Sequence, residues 1–128
     1  MEEFTIQIPH ERPFAVVADL VVGGIAARHD VTLDVLEDLQ LALDSLLEHD
    51  EADGREVSIA LRVEGGTIRA EVGPIAASTA SALAAESGPG LGIRRLLETT
   101  MDSVTVSDRE GGKCVELTKS YPLTEATT

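Results

Sequence analysis

Two pairs of adjacent glycines constrain the fold of this chain more than any other feature of its sequence. Gly65-Gly66 separates two segments in which apolar and polar residues alternate, 57–63 and 67–72. Gly111-Gly112 stands between two further short segments of the same kind. Paired glycines readily adopt the positive φ values of tight hairpin turns, and alternation is typical of strands with one buried face. The sequence therefore predicts two antiparallel β-hairpins.

Periodic apolar residues predict the remaining elements. The predicted helices cover 13–28, 33–49 and 91–100, and a first strand covers 4–8. Pro13 suits a first helical turn, and Thr32 suits the N-cap of the second helix. The Ala- and Ser-rich segment 73–87 predicts a loop with a helical turn inside it.

The order of these elements predicts a fold of the α/β (α+β) type. Strands and helices cluster along the chain and do not alternate strictly, which favours an antiparallel sheet with helices on one side. We expect a two-layer sandwich in which a mixed, mostly antiparallel sheet carries the helices on one face. A length of 128 residues fits one domain. We assign residues 1–121 to that domain and 122–128 to a flexible polar tail.

Composition excludes several classes of protein. No apolar run has the length of a membrane span, and the acidic N-terminus lacks the pattern of a signal peptide, so we expect a cytoplasmic protein. A single cysteine, Cys114, excludes an internal disulfide and a cysteine-based zinc site. Only 2% of the residues are aromatic, and the core must therefore consist of aliphatic side chains.

The net charge of −13 is concentrated in one part of the chain, which we call the acidic window. Residues 30–56 contain ten acidic residues and one basic residue, Arg55. Such a field repels nucleic acids and anionic membranes, because their binding depends on neutralised phosphates. We therefore expect neither partner, and a basic protein partner is easier to accommodate. A solvated acidic surface that aids solubility explains the charge equally well.

Three motifs in the C-terminal half resemble those of a known family. They are the segment Gly88-Pro89-Gly90-Leu91-Gly92-Ile93, then Met101-Asp102-Ser103-Val104, and then the segment 111–119 that starts with Gly111-Gly112-Lys113-Cys114. In this order they resemble the anti-sigma-factor serine kinases, compact members of the GHKL (histidine-kinase-like) ATPases with the Bergerat-type fold. The resemblance extends over nearly the whole chain.

This resemblance carries expectations about ligands and partners. It implies that the backbone N–H groups of Gly88, Gly90, Leu91 and Gly92, together with a helix N-terminus, hold the phosphates of ATP, with Mg²⁺ as the metal. It also implies a sigma factor or an anti-sigma-factor antagonist as the partner, and it is compatible with a homodimer.

The predicted second helix departs from the family pattern. The lead-in 37–43 resembles the family well, but the position of the general-base Glu is Ser45, and that of the metal-holding Asn is His49. Serine cannot act as a carboxylate base, and histidine is a poor ligand for Mg²⁺. Asp44 and Glu48 share the same i, i+4 spacing but are turned by about 100° from the pocket face.

The adenine-recognition motif is missing as well. After the strand 67–72 the family has Asp-x-Gly-x-Gly, and this chain has Val72-Gly73-Pro74-Ile75 instead. Glu71 has a carboxylate that could replace the missing Asp, but strand alternation is expected to turn its side chain away from the pocket. We therefore assign no catalytic residue and no metal ligand, and the residues argue against ATP and Mg²⁺.

Other chemically interesting residues have simpler explanations. His10, His29 and His49 lack the spacing of metal ligands and are expected at the surface. Cys114 is expected to be a small packing residue. Arg94 and Arg95 lie on the exposed side of the predicted third helix, where an acidic partner or solvent would meet them.

Two functional hypotheses follow from the sequence. The first is a regulator of bacterial transcription that acts by protein binding, as an anti-sigma-factor-like protein with weak or lost nucleotide binding. The alternative is an active ATP-dependent serine kinase that phosphorylates an anti-sigma-factor antagonist. Ser45, His49 and the missing Asp favour the first.

Overall fold

The computed structural model describes residues 2–50, 54–84, 92–109 and 111–122. Within these ranges the chain forms five strands and four helices. In chain order they are β1 (Glu2–Pro9), α1 (Arg12–Arg28), α2 (Leu33–His49), β2 (Glu56–Glu64), β3 (Thr67–Ile75), α3 (Ala77–Ala84), α4 (Ile93–Thr100), β4 (Ser103–Arg109) and β5 (Gly112–Ser120). No helix in the described ranges combines the length and the apolar character that crossing a membrane requires.

The five strands form a single sheet in the order β1-β2-β3-β5-β4. Both predicted hairpins are confirmed, β2 with β3 and β4 with β5. Gly65 and Gly66 have φ values of 50° and 86° at the first turn, as a tight hairpin requires. All four described strand pairs are antiparallel, so the expectation of a mixed sheet was wrong. β5 lies between β3 and β4. The β4–β5 hairpin therefore joins the strands β1, β2 and β3 through an antiparallel pairing of β5 with β3.

One face of the sheet is buried against the helices, as the alternation predicted. In β2, Val57, Ile59, Leu61 and Val63 are at most 3% exposed, whereas Arg62 and its alternate neighbours face outward. The structure is therefore the two-layer α+β sandwich that the sequence predicted. Its core is aliphatic, and its largest fully buried side chains come from α2, β2, β3, α3, α4 and β5.

The helices follow their predicted bounds closely, with one addition. α2 covers exactly the predicted residues 33–49, with the Thr32 hydroxyl accepting a long hydrogen bond of 3.5 Å from the Val35 N–H. Residues 73–84 of the predicted loop are more ordered than expected, because β3 continues to Ile75 and α3 follows over Ala77–Ala84. Residues 85–87 of that loop lie outside the described residues. Thr79, Ala80 and Leu83 of α3 are buried, which explains why this weakly amphipathic segment is helical: tertiary packing stabilises it.

Candidate functional site

Two open cavities flank the C-terminal half of α2. The first, which we call the α2–α4 cavity, has a volume of about 700 Å³. Its described lining residues are Ser45, Glu48, His49, Ala82, Gly92, Ile93, Arg95, Leu96 and Thr99. The second, the α1–α2 cleft, has a volume of about 630 Å³. Its described lining residues are Pro9, His10, Glu11, Ala15, Val16, Asp19, Asp44, Leu47, Glu48, His49 and Asp50.

The α2–α4 cavity brings together the residues that the sequence comparison singled out. Ser45 and His49 lie one turn apart on α2 and both line it. Gly92, the N-cap residue of α4, lies on the opposite wall. Gly88, Gly90 and Leu91, the other predicted phosphate-binding residues, lie outside the described residues. Of the four residues predicted to bind phosphate, the structure therefore places Gly92 at the cavity.

The described lining offers few side-chain oxygens to a metal ion. Glu48 is its one carboxylate, Ser45 and Thr99 contribute hydroxyls, and His49 contributes an exposed imidazole. Mg²⁺ prefers oxygen ligands, and in nucleotide sites one or two carboxylates hold it together with phosphates and waters, so Glu48 is the lining residue best suited to it. No group of three His, Cys, Asp or Glu residues within the described ranges is arranged to hold a metal ion.

The position of Glu48 corrects one expectation from the helical register. Asp44 lines the α1–α2 cleft and is absent from the lining of the α2–α4 cavity, as a 100° rotation predicts. Glu48 lines both cavities, so the prediction that it is turned away from the pocket was wrong. Its exposed side chain lies on the ridge between the two cavities, next to His49, and this position gives it access to each.

The second half of β3 has a packing role where the family has its adenine motif. A Cβ atom on Gly73 would overlap Cys114 Sγ and would lie 3.0 Å from Cys114 Cβ, so β3 and β5 approach too closely for a side chain here. Glu71 lies on the outer face of the sheet and forms an ion pair of 3.0 Å with Arg109. This agrees with the expectation that Glu71 points away from the pocket.

The Met-Asp motif and the segment after it also connect elements of the fold. Met101 is buried, and the Asp102 carboxylate accepts a hydrogen bond of 2.7 Å from the Ser120 N–H. This backbone hydrogen bond lowers the pKa of Asp102. Lys119 donates to the Thr100 carbonyl at the end of α4 (2.8 Å). Each contact fixes the position of α4, which forms one wall of the α2–α4 cavity.

A buried polar cluster around Asp50 was not predicted from the sequence. Asp50 is 2% exposed, and its Oδ1 accepts hydrogen bonds from the Ala76 N–H (2.8 Å) and the Thr79 hydroxyl (2.6 Å). Its Oδ2 contacts His10 Nε2 (3.0 Å) and Arg55 Nη2 (2.5 Å). The carboxylate thus joins the end of α2 to the first turn of α3, the end of β1 and the start of β2.

This Asp50 cluster overturns two expectations. His10 is 4% exposed, so its assignment to the surface was wrong, whereas His49 is exposed as expected. Asp50 belongs to the acidic window, which the sequence suggested could be a solvated surface, and its burial contradicts this for Asp50. Its partners are separated from it by up to 40 residues, and hydrophobic periodicity carries no information about such contacts.

The acidic helix surface is likewise less uniform than its sequence suggests. Glu37 is exposed, but Asp38 forms an ion pair of 3.3 Å with Lys119. Arg94, expected on an exposed side, is half-buried and donates to the Leu83 carbonyl at the end of α3 (2.5 Å). Arg95 is exposed on the wall of the α2–α4 cavity. Glu37 and Arg95 are therefore the residues of this group most available to a partner.

Two carboxyl groups lie side by side in the α1–α2 cleft. The pKa of Asp19 is raised to about 7, first by burial and then by the hydrogen bond and the charge of Asp44. Asp19 Oδ1 is buried and has no hydrogen-bond partner among the described residues. The Asp19 carboxyl group therefore keeps its proton up to near neutral pH.

Cys114 has no reactive environment. Its side chain is half-buried on β5, and burial, followed by the charge of Glu71, raises the pKa of its thiol. Because the thiolate is the nucleophilic form, this environment disfavours reactivity. Cys114 was expected to be a small buried residue; its side chain is only half-buried, and it packs closely against Gly73.

Comparison with known proteins adds one structural relationship. No protein-family model matches the chain, and no curated protein matches it in sequence. Among solved structures, it is similar to the crystal structure of the RsbU and RsbW domains of a Mycobacterium tuberculosis protein, with a TM-score of 0.65 and 17% identity. The match covers 99% of this chain and 35% of that chain, so this chain spans about one third of its neighbour's length. This likeness establishes the fold.

Proposed function

We propose that this chain is a regulator of the anti-sigma-factor type that binds a sigma factor or an anti-sigma-factor antagonist, with weak or lost nucleotide binding. The motifs of the C-terminal half and the likeness to a structure containing an RsbW domain support this type of protein. One observation carries the nucleotide part of the proposal. The face of α2 that lines the α2–α4 cavity presents Ser45 and His49, where the family has a carboxylate and an amide.

The chemistry of these two residues argues against phosphoryl transfer. A general base must accept a proton near neutral pH, and an unactivated serine hydroxyl does not. An imidazole is a poor substitute for an oxygen ligand of Mg²⁺. The carboxylates of the acidic window, including Asp44 and Glu48, make the electrostatic potential on this side of the domain more negative. A more negative potential opposes the approach of a polyanion.

Glu48 favours the alternative function, an active serine kinase acting on an anti-sigma-factor antagonist. Its carboxylate lies on the cavity wall next to His49, and it is the one carboxylate among the described lining residues. In this alternative Glu48 would accept the proton of the substrate hydroxyl, while residues outside the described ranges would hold the phosphates.

Titration with ATP and Mg²⁺ distinguishes the two functions. A ligand present at 100 times its Kd stabilises a native protein by about 2.7 kcal/mol, which raises Tm by several degrees in a domain of this size. We expect millimolar ATP with Mg²⁺ to leave Tm nearly unchanged and to give no calorimetric binding signal. A rise of several degrees that is abolished in Gly92→Val would contradict the proposal. Phosphate transfer to an antagonist that is lost in Glu48→Gln would establish the kinase.

A further inference from the structure

Apart from Asp19 and its charged ends, Arg12 and Arg28, α1 is apolar around its circumference. Its inner side consists of Ala18, Val22, Ile25 and Ala26, all buried in the core. Its solvent side, which we call the outer α1 face, consists of Phe14 (36% exposed), Val16 (59%), Val17 (42%) and Leu20 (71%). A helix that is hydrophobic on all sides is ordinarily buried, and a contiguous exposed apolar face is typical of an interaction site.

The outer α1 face is bordered by the acidic α1–α2 cleft. Val16 belongs to both, because it is exposed on the helix and also lines the cleft. Beyond Val16 the cleft presents the carboxyl groups of Asp19 and Asp44, with the exposed Glu11 and Glu48 at its edges. The buried Oδ1 of Asp19 has no hydrogen-bond donor among the described residues. An apolar ridge thus adjoins an acidic groove that contains an unpaired acceptor.

We propose that the outer α1 face and the α1–α2 cleft form one docking surface for a basic amphipathic segment of a partner protein. The apolar side of that segment covers Val16 and Leu20, and a Lys or Arg side chain enters the cleft between Asp19 and Asp44. This inference rests on the proposed function only in treating the chain as a protein-binding domain. It does not depend on whether nucleotide binds.

Charge selects this occupant over a second copy of the chain. A symmetric pair built on the outer α1 face would bring two acidic clefts together, in a protein whose net charge is already −13. Like-charge contact across an interface costs affinity, and opposite charge favours both encounter and specificity. A segment with positive charges beside an apolar stripe satisfies both parts of the surface.

The shape and chemistry of the cleft suit a long basic side chain. Ala15, Val16 and Leu47 provide apolar wall, along which the methylene groups of a Lys or Arg would lie, with the charged head at the Asp19–Asp44 pair. The raised pKa of Asp19 is consistent with this arrangement. A cation that binds there replaces the proton held by the pair, so binding strengthens as the pH rises from about 6 to 8.

The test uses a fluorescein-labelled amphipathic helical peptide of Leu, Ala and Lys, and a matched peptide with Glu in place of Lys. We expect the Lys peptide to bind, as measured by fluorescence anisotropy, and the Glu peptide not to bind. Leu20→Ser and the double variant Asp19→Asn/Asp44→Asn should each weaken binding about tenfold, as loss of a central contact does. The controls are Leu33→Ser, at a leucine of α2 that is 66% exposed, and Asp108→Asn on β4, which should bind like the wild type.

Four results would overturn this proposal. The first is that neither peptide binds. The second is that Asp108→Asn weakens binding as much as the cleft variants do, since attraction to net charge alone then explains it. The third is a wild-type dimer in sedimentation velocity that Leu20→Ser converts to a monomer, since a second copy then covers the face. If Leu20→Ser leaves the binding of a sigma factor or an antagonist unchanged, this docking surface is wrong and the proposed function stands.

Discussion

The hydroxyl of Thr79 donates a hydrogen bond of 2.6 Å to the carboxylate of Asp50, and both side chains are almost completely buried. Asp50 follows the last residue of α2, and Thr79 lies in the first turn of α3. The same carboxylate oxygen accepts the Ala76 N–H, so a negative charge sits at the N-terminus of α3, where the helix dipole favours it. Because α3 carries Ala82 on the wall of the α2–α4 cavity, this contact also helps to define that cavity.

Removal of the Asp50 carboxylate should be strongly destabilising. Asp50→Ala leaves the buried Thr79 hydroxyl and the Ala76 N–H without an acceptor and takes the counter-charge from Arg55, so we expect a loss of about 3–5 kcal/mol. Urea denaturation measures the loss. Asp108→Ala serves as the control, since Asp108 is 79% exposed and its ion pair with Lys113 should contribute less than about 1 kcal/mol. Similar losses in both variants would show that the Asp50 cluster has no special role.

The Thr79 hydroxyl can be tested separately from the shape of its side chain. Thr79→Val keeps the branched shape but removes the donor to Asp50, and we expect it to cost about 1–3 kcal/mol. Thr79→Ser keeps the donor and removes only a methyl group, so it should cost less. The comparison is made from chemical denaturation midpoints at equal m-values. A serine variant less stable than the valine variant would mean that packing, rather than the hydrogen bond, makes Thr79 important.

Gly73 should not tolerate a methyl group. A Cβ atom there would overlap Cys114 Sγ and would lie 3.1 Å from Cys114 Cα, so we expect Gly73→Ala to destabilise by about 1–3 kcal/mol. Cys114→Ala in the same chain should restore part of this loss. The control is Gly24→Ala in α1, where no atom lies within 4 Å and alanine should stabilise by about 0.5–1 kcal/mol. Equal effects at the two positions in thermal unfolding would contradict the close strand approach.

Stability should decrease with rising pH because of Asp19. Its pKa is raised to about 7 in the folded state, so the folded protein holds the proton more tightly than the unfolded chain does. This contribution is complete below about pH 4, the ordinary range for Asp, and is lost as the pH rises through about 7. Solvent reduces its size, because Asp19 is partly exposed.

Variants of the carboxyl pair check this pH dependence. Asp19→Asn should flatten the decline in unfolding free energy between about pH 5 and 8 and should be more stable than the wild type at the upper end. Asp44→Asn should reduce the decline without abolishing it, because burial, the largest cause of the raised pKa, remains. Urea denaturation at each pH measures both. Parallel curves for the wild type and Asp19→Asn would show that the pair does not share a proton.

The acidic window should accelerate association with a basic partner. Glu37 is exposed on α2, and we expect Glu37→Lys to slow the association with an immobilised sigma factor or antagonist while dissociation changes much less. Raising the salt concentration should have the same effect on the wild type. Glu37→Gln separates loss of charge from its reversal. An association rate insensitive to salt and to both variants would leave the acidic window as a solubilising surface.

The fold was predictable wherever local sequence determines structure. The bounds of α2 and the two glycine-paired hairpins follow from apolar periodicity and turn residues, and the structure confirms them. α3 was underestimated, because Ala and Ser give this segment little amphipathic contrast and its helix depends on burial of Leu83. The close approach of Gly73 to Cys114 was also not predictable, because it depends on the pairing register between β3 and β5.

The candidate site was predictable only in part. The i, i+4 spacing of Ser45 and His49 placed both on one wall of the α2–α4 cavity. The Asp50 cluster was missed because the partners of Asp50 come from three other elements, β1, β2 and α3, that only the tertiary fold brings together. Asp50 is also one of many acidic residues in the acidic window, and such residues are ordinarily exposed to solvent. Nothing in the sequence therefore indicated that this one is buried.

The central position of β5 has a consequence for how the chain acquires its structure during synthesis. β5 is the last of the five strands, yet it pairs with β3 on one side and with β4 on the other. Until it emerges from the ribosome, β3 presents an open edge and β4 has no neighbour, and such unpaired edges are prone to wrong association. A nascent chain of this protein therefore exposes an unpaired edge of β3 until β5 arrives, and premature termination before β5 leaves β4 without a strand partner as well.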